Sequence, residues 1–379
     1  MKKRSKRVLI FGATGSIGIS ALEIVDRDDC YELVGFSFNK NIDKAKKIKK
    51  HFSKALCFSP TIYEINDVKS FEELIICTKP DIILNSIVGF PGLEISLLAL
   101  KHGIDLALAN KESLVVAGWL IKKILKSSKS KIYPVDSEHS GIFDIVLNSK
   151  KKIKELILTA SGGPFFDKEL NELENIKFSE AIMHPNWKMG YKISIDSATL
   201  MNKAFEIIEA YYLFDFKNIK VYQHKQSIVH SLVKFSDNSL CACMSVPDMK
   251  LPINQGLSCY KSEKSLIKDL DFDNLHLNFK KIDLERWKPI SWAYDFIENN
   301  NKAIPIIMNS ANDELIELFR EGNIKFNDIT SIIDKAIIVF ENTEVKTIDD
   351  IYSLHDNVKK YVNNFSKNKI NYSIYKKCK

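Results

Sequence analysis

The chain contains no Cys-x-x-Cys pair, and its seven cysteines, at 30, 57, 77, 241, 243, 259 and 378, form an odd set without regular spacing. A disulfide framework and zinc-finger spacing are both excluded, and reduced thiols in the cytoplasm are expected. Long apolar runs are also missing. The longest apolar window, Ile82 to Leu100, is interrupted by Asn85, Pro91 and Glu94, so no segment reads as a membrane span. The basic start, Met1 to Arg7, resembles a secretory leader, but the apolar run behind it is only Val8 to Phe11 before Gly12 intervenes, and it reads as a first strand. No basic strand is studded with aromatics, no repeat recurs, and no low-complexity tract stands out beyond a local Lys/Asn/Ile bias. The net charge of +7 is therefore read as a lysine-rich solvated surface rather than a nucleic-acid footprint, and it suits an anionic small-molecule substrate.

With 379 residues, 45% hydrophobic and 27% charged, the chain is long enough for two or three soluble domains. The first 150 residues alternate short apolar strands (Val8 to Phe11, Tyr31 to Phe38, Ala55 to Phe58, Ile82 to Leu84, Asp105 to Leu108, Ile132 to Val135) with helical patterns such as Leu93 to Lys101 and Gly118 to Lys126. That alternation predicts an α/β fold, an N-terminal Rossmann-type parallel sheet covered on both faces. Residues 151–260 carry longer strand patterns (Leu156 to Thr159, Val221 to Val233, Leu240 to Ser245) and read as an α+β catalytic domain. A polar connector, 261–288, leads to a C-terminal helical bundle over 289–379, with helices near Ile290 to Asn299, Asp313 to Glu321, Ile329 to Glu341 and Ile348 to Asn364.

Five segments carry chemistry. Gly12-x-x-Gly15-x-x-Gly18, directly after a strand and opening a helix, supplies a tight turn, close backbone approach and a helix N-terminus for a pyrophosphate. Asn39-Lys40-Asn41 stands at the end of the second strand, where an acidic residue would favour NADH; a lysine between amides favours a 2′-phosphate and hence NADPH. Asn110-Lys111-Glu112 lies at a strand's C-terminal edge, where ligands of open α/β sheets bind, but taken by itself it reads better as an ordinary helix N-cap. Asp136 and Glu138, two apart at a strand end, suit a hard divalent cation such as Mg²⁺ or Mn²⁺, with Glu206 as a third ligand and His139 as a supporting residue. The stretch Ser194 to Glu206 reads as the start of one helix whose polar arc holds Asn202, Lys203 and Glu206 beside Ser197, able to hold a phosphate and a cation or to stand as a solvated face.

Two loops remain open between function and plain structure. The turn around Ser161-Gly162-Gly163-Pro164 offers a hydroxyl and backbone amides to a phosphate, or is only a turn. The loop His184 to Gly190 places Trp187 either as a lid or as an anchor to the core.

Taken together, Gly12 to Gly18, Ala109 to Ser113, Pro134 to His139, Ser161 to Phe165, His184 to Trp187, Asp196 to Thr199, Glu206, Gln226 to His230 and Pro247 to Met249 resemble the 1-deoxy-D-xylulose 5-phosphate reductoisomerase family, in order over about residues 8–255. The resemblance implies that Thr14, Gly15, Ser16, Ile17, Asn39, Lys40, Asn41, Asn110, Glu112 and Gly190 contact NADPH. It implies a metal site of Asp136, Glu138 and Glu206 for Mg²⁺, Mn²⁺ or Co²⁺. Ser161, Ser197, Asn202 and Lys203, helped by His184, would hold a sugar phosphate. Ser137, Lys111 and Glu138 would touch its carbon chain, and Trp187 and Met249 would shield it. The implied activity is metal-dependent rearrangement and NADPH reduction of that substrate by a homodimer with no nucleic-acid or membrane partner. Ser140-Gly141, Asn39 and Lys225 depart from the family pattern, and none removes an implied ligand. A homoserine-type dehydrogenase would share the glycine turn and need no carboxylate set; an NADPH-sensing protein would bind without turnover.

Overall fold

The computed structural model describes residues 4–187, 189–262 and 264–377. The chain divides into two compact units, each assembled from separate stretches: Met1–Ser113, Ile121–Leu156 and Ile228–Leu275 in the first, Leu114–Leu120, Ile157–Ser227 and His276–Lys379 in the second.

The first 150 residues run β1 (Lys6–Phe11), α1 (Ser16–Arg27), β2 (Tyr31–Ser37), α2 (Ile42–His51), β3 (Leu56–Phe58), α3 (Phe71–Thr78), β4 (Ile82–Asn85), α4 (Gly92–Lys101), β5 (Asp105–Leu108), α5 (Lys111–Leu125), β6 (Ile132–Pro134) and α6 (Ser137–Asn148). All six strands lie parallel, as the alternation predicted, and their order β3-β2-β1-β4-β5-β6 is the arrangement of dinucleotide-binding α/β folds. The strands are continuous apolar runs because helices cover both faces: Val8, Ile10, Leu84 and Phe36 are buried with Leu22 and Val25 of α1 in one core. The order reverses between β1 and β4, which opens a crevice at their carboxyl ends, and the glycine turn follows β1 there.

Beyond α6 follow β7 (Ile153–Ala160), α7 (Phe178–Ala181), α8 (Tyr191–Ala198), α9 (Met201–Phe214), β8 (Ile219–Gln223), β9 (Val229–Phe235), β10 (Leu240–Met244), α10 (Lys250–Ser258), β11 (Lys280–Lys281), α11 (Lys288–Asn299), α12 (Ala303–Arg320), α13 (Phe326–Phe340) and α14 (Ile348–Lys377). A second sheet has the order β10-β9-β7-β8-β11, and the division between units falls inside β7. In the first unit α10 adds Ile253 and Leu257 to the core of the parallel sheet, and Gly141 on α6 lies so close to Cys243 on β10 that a Cβ would come within 2.6 Å of the Cys243 Cβ. In the second, α12 packs on α13 and α14, and α9 meets α11 through Tyr211, Tyr212 and Phe296.

Three readings of the sequence need correction. Val221 to Val233 is not one strand: it breaks into β8 and β9 around Ser227, which adopts φ +54. The helix read from Gly118 begins at Lys111 and bends at Ala117 (φ −135), beside Gly118, whose missing side chain admits the Tyr212 ring; a Cβ there would sit 2.2 Å from the ring. The third correction concerns Ser194 to Glu206 and shapes the site.

Candidate active site

The glycine turn is built by close backbone contacts. Gly12 has φ +83 and a Cβ on it would fall 2.8 Å from the Ser86 carbonyl oxygen, while a Cβ on Gly18 would fall 2.4 Å from the Gly12 carbonyl oxygen. Only hydrogen fits at either position, so the turn folds tightly onto the start of α1. Gly15 caps that helix without a side-chain bond, and Gly15 and Ser16 are exposed, so no side-chain cap takes up the first N–H groups of α1. Lys44 reaches the Thr14 carbonyl oxygen at 3.5 Å, a neighbour that sequence reading did not single out although its lysine on α2 follows the Asn39–Asn41 loop directly. In that loop Lys40 is exposed, Asn41 caps α2 through Lys44 N–H at 3.1 Å, and Asn39 Oδ1 accepts from the Thr61 hydroxyl at 2.8 Å.

Across the same sheet, Asn110 caps α5. Its Oδ1 accepts from Ser113 N–H at 3.0 Å, and its Nδ2 donates to the carbonyls of Ile87 at 2.7 Å and Gly89 at 2.9 Å. The capping alternative for this segment is thus realised in the side chain of Asn110. Next to it Lys111 pairs with Asp136, the N-cap of α6. Burial by itself raises the Asp136 pKa, but the Lys111 charge and the His139 contact, with Nδ1 3.3 Å from Oδ1, outweigh it and hold this carboxyl well below the usual range. Ser137 donates to Glu138 Oε2 at 2.5 Å. His139 is fully buried. The first unit therefore presents an ionised Asp136, paired with Lys111, beside Glu138.

In the second unit the stretch read as one helix start is two helices. Thr199 turns its hydroxyl back onto the carbonyls of Ile195 (3.0 Å) and Asp196 (3.3 Å), which ends α8, and Leu200 takes φ +58 before α9 begins. Ser197 consequently lies in the last turn of α8, whereas Asn202 and Lys203 lie in the first turn of α9. The polar arc is not a solvated face: Lys203 is 3% exposed and Glu206 1%. Lys203 pairs with Glu206, and Asn202 Nδ2 donates to the other Glu206 oxygen at 2.5 Å. The Gly162-Gly163 turn packs against Ser197 directly, since a Cβ on Gly163 (φ +63) would lie 2.8 Å from the Ser197 carbonyl oxygen. Ser161 and Ser197 are thus on adjoining segments.

His184 fixes the Trp187 loop. Its Nδ1 accepts from the N–H groups of Asn186 (3.2 Å) and Trp187 (3.0 Å), so the proton of the neutral ring resides on Nε2, which donates to Ser161 Oγ at 2.9 Å. Ser161 keeps its own O–H to donate elsewhere. Burial pushes the His184 pKa down to about 4, consistent with a neutral ring at physiological pH. Asn186 extends the tie by donating to Lys225 O (2.5 Å) and Ser227 Oγ (2.9 Å), the turn that breaks the predicted long strand. Trp187 is half-buried, and Gly190, the exposed N-cap of α8, has no atom within 4 Å of where a Cβ would stand. Met249 precedes α10 and packs on the parallel-sheet core of the first unit.

The donor chemistry fits both expected groups. A turn in which only glycine is sterically allowed, ahead of an uncapped helix N-terminus, fits a dinucleotide pyrophosphate. In the first unit, the carboxylate oxygens of Asp136 and Glu138 are hard donors of the kind Mg²⁺ takes.

A Rossmann-type sheet of this order, followed by a second sheet and a helical bundle, together with paired lysines and carboxylates, defines an α/β enzyme fold of the dinucleotide-dependent class. Three family models match: 1-deoxy-D-xylulose 5-phosphate reductoisomerase over residues 8–118, its C-terminal domain over 132–214, and the DXP reductoisomerase C-terminal domain over 244–361. The 1-deoxy-D-xylulose 5-phosphate reductoisomerase of Malacoplasma penetrans is 64% identical over 98% of both chains, and that of Clostridium kluyveri 40% identical over 96% of this chain and 100% of its own. A crystal structure of DOX-P reductoisomerase in complex with NADPH, fosmidomycin and magnesium superposes with a TM-score of 0.88 at 33% identity, covering 96% and 98% of the two chains. The Zymomonas mobilis enzyme in complex with NADPH gives 0.85 at 31% identity, covering 96% and 99%. The chain belongs to the 1-deoxy-D-xylulose 5-phosphate reductoisomerase family.

Proposed function

We propose that this protein converts 1-deoxy-D-xylulose 5-phosphate into 2-C-methyl-D-erythritol 4-phosphate by rearrangement and NADPH reduction, with a divalent cation. The observation that carries this reading is the 64% identity to a reductoisomerase over essentially the whole chain. The glycine turn supports cofactor binding through Thr14, Gly15, Ser16 and Ile17, with Asn39, Lys40 and Asn41 at the 2′-phosphate and Asn110, Glu112 and Gly190 nearer the nicotinamide. Asp136, Glu138 and Glu206 are the proposed ligands of Mg²⁺, with Mn²⁺ or Co²⁺ as substitutes. When bound, NADPH supplies the hydride and the cation supplies Lewis acidity toward the ketone and a neighbouring hydroxyl.

The chain's own residues do the rest. Lys203, Asn202, Ser197 and Ser161 hold the substrate phosphate, and His184 orients Ser161 so that its hydroxyl hydrogen points away from the imidazole. Phosphate binding far from the reacting carbons contributes binding energy for closing Trp187 and Met249 over the substrate, which excludes water. Lys111, by its charge beside Asp136, keeps that carboxylate ionised, and with Ser137 and Glu138 it contacts the carbon chain. Along the sequence, residues 1–150 carry the NADPH contacts and the metal ligands Asp136 and Glu138, 151–260 carry Glu206, the phosphate contacts and the lid, 261–288 form a connector and 289–379 a helical support.

We further propose a cytoplasmic homodimer. No helix among the described residues is long and apolar enough to cross a membrane, and the cysteine pattern suits a reducing compartment. The strand β10 closes one edge of the second sheet with Leu240, Cys241 and Ala242 exposed, an edge a second copy would cover. Metal-dependent oxidation of NADPH by 1-deoxy-D-xylulose 5-phosphate tests the activity, and sedimentation tests the dimer.

A further inference from the structure

The short helix α8 carries Ser197 in a half that is buried from Ser194 to Ala198. It has eight residues, no side-chain cap at Gly190, and a left-handed residue, Leu200, two positions past its end. Alongside its packing on α9, a polar seam with α12 of the C-terminal bundle helps to orient it within the second unit. Asn312 Nδ2 donates to Asp196 Oδ1 at 2.6 Å, Lys192 bridges Asp196 Oδ2 (2.7 Å) and Asp313 Oδ1 (3.3 Å), and Tyr191 donates to Glu317 Oε1 at 2.6 Å. Asn312 is fully buried and Asp196 2% exposed, so this bond is shielded from water, where a charge-assisted hydrogen bond is strong and its loss costly. Asp196 directly precedes Ser197. Any rotation of α8 that breaks the Asn312–Asp196 bond swings the Ser197 hydroxyl with it.

We infer that Asn312 is a positioning residue for the substrate phosphate: by fixing Asp196 it sets the rotation of α8 and hence the place of Ser197 relative to Lys203 at the start of α9. This gives the C-terminal bundle, which supplies no proposed ligand, a specific part in substrate binding. The inference rests on the reading that Ser197 and Lys203 hold the phosphate.

The test compares Asn312→Asp with the exchanged pair Asp196→Asn/Asn312→Asp, measuring KM for 1-deoxy-D-xylulose 5-phosphate, KM for NADPH, kcat and melting temperature. The single variant sets two carboxylates against each other and is expected to raise the substrate KM about 10-fold or more while leaving the NADPH KM within about twofold. The exchanged pair restores the hydrogen bond with donor and acceptor reversed, and is expected to return the substrate KM to within about threefold of the starting value. If Asn312→Asp does not fold, Asn312→Ser, which removes the bond without adding charge, takes its place. Folded variants with an unchanged substrate KM, an exchanged pair that rescues nothing, or a loss of kcat and both affinities in step with melting temperature would each overturn the proposal. Ser197→Ala separates the two levels. If it leaves the substrate KM unchanged, the phosphate reading fails and this proposal with it; if it raises KM and the Asn312 variants do not, only the positioning role is lost.

Discussion

Replacing Gly18 by alanine tests the cofactor turn more severely than any loss of charge. The added Cβ would stand 2.4 Å from the Gly12 carbonyl oxygen and 2.5 Å from the Ala13 Cα, both backbone atoms. Ordinary contact begins near 3.4 Å, so the turn has to retreat by about 1 Å. Such overpacking costs ~1–3 kcal/mol, offset by ~1 kcal/mol because alanine favours the helix that Gly18 occupies. The net loss of stability is therefore small, and the larger effect falls on the N–H groups at the start of α1, which move with the turn. A displacement of about 1 Å at a positioning site is worth up to ~100-fold. Titration of NADPH against tryptophan emission should show Kd raised ~10- to 100-fold, with melting lowered by only a few degrees. Gly15→Ala is the companion variant, because its Cβ meets nothing nearer than 3.3 Å: its melting temperature should stay at the starting value while NADPH weakens. Gly18→Ala binding NADPH with unchanged affinity would refute the assignment of this turn to the cofactor.

Glu206→Gln keeps the shape of the side chain and should lower turnover at least ~100-fold, with the metal concentration for half-activity raised; an unaltered metal dependence would remove Glu206 from the ligand set. Lys203→Met removes the cation paired with the buried Glu206 carboxylate, so the melting temperature should fall by the equivalent of ~3 kcal/mol and the substrate KM should rise, both read on the same preparation. His184 has its folded pKa depressed to about 4 from an ordinary 6.5, so the unfolded chain binds the extra proton first as pH falls. Its contribution is present above pH 6.5 and is lost as pH drops from there toward 4; urea midpoints over this range should fall more steeply in the starting protein than in His184→Gln.

The parallel sheet was legible because buried strands in such a sheet are short, wholly apolar runs punctuated by helical patterns, and β1 to β6 all lie where those runs lie. Strand order was not, since nothing in Val8–Phe11 says which neighbours it pairs with. Within the candidate site, residues close in sequence such as Asp136 and Glu138 declared themselves. The break at Leu200 did not: Ser194 to Glu206 is periodic enough for one helix, and it was the Thr199 hydroxyl, turned back onto two carbonyls, that ended α8. Burial of Lys203 and Glu206 was equally hidden, because a polar arc looks the same whether it faces water or a mutually satisfied ion pair. The Asn312 contact was hidden too, because its partner lies 116 positions away, beyond any local pattern.

The most direct measurement of the central claim is the loss of NADPH absorbance on adding 1-deoxy-D-xylulose 5-phosphate, with Mg²⁺ and again with a chelator. The account predicts oxidation that requires the substrate and the metal together and is abolished by chelation. Tight NADPH binding without any substrate-dependent oxidation in the presence of Mg²⁺ would contradict it.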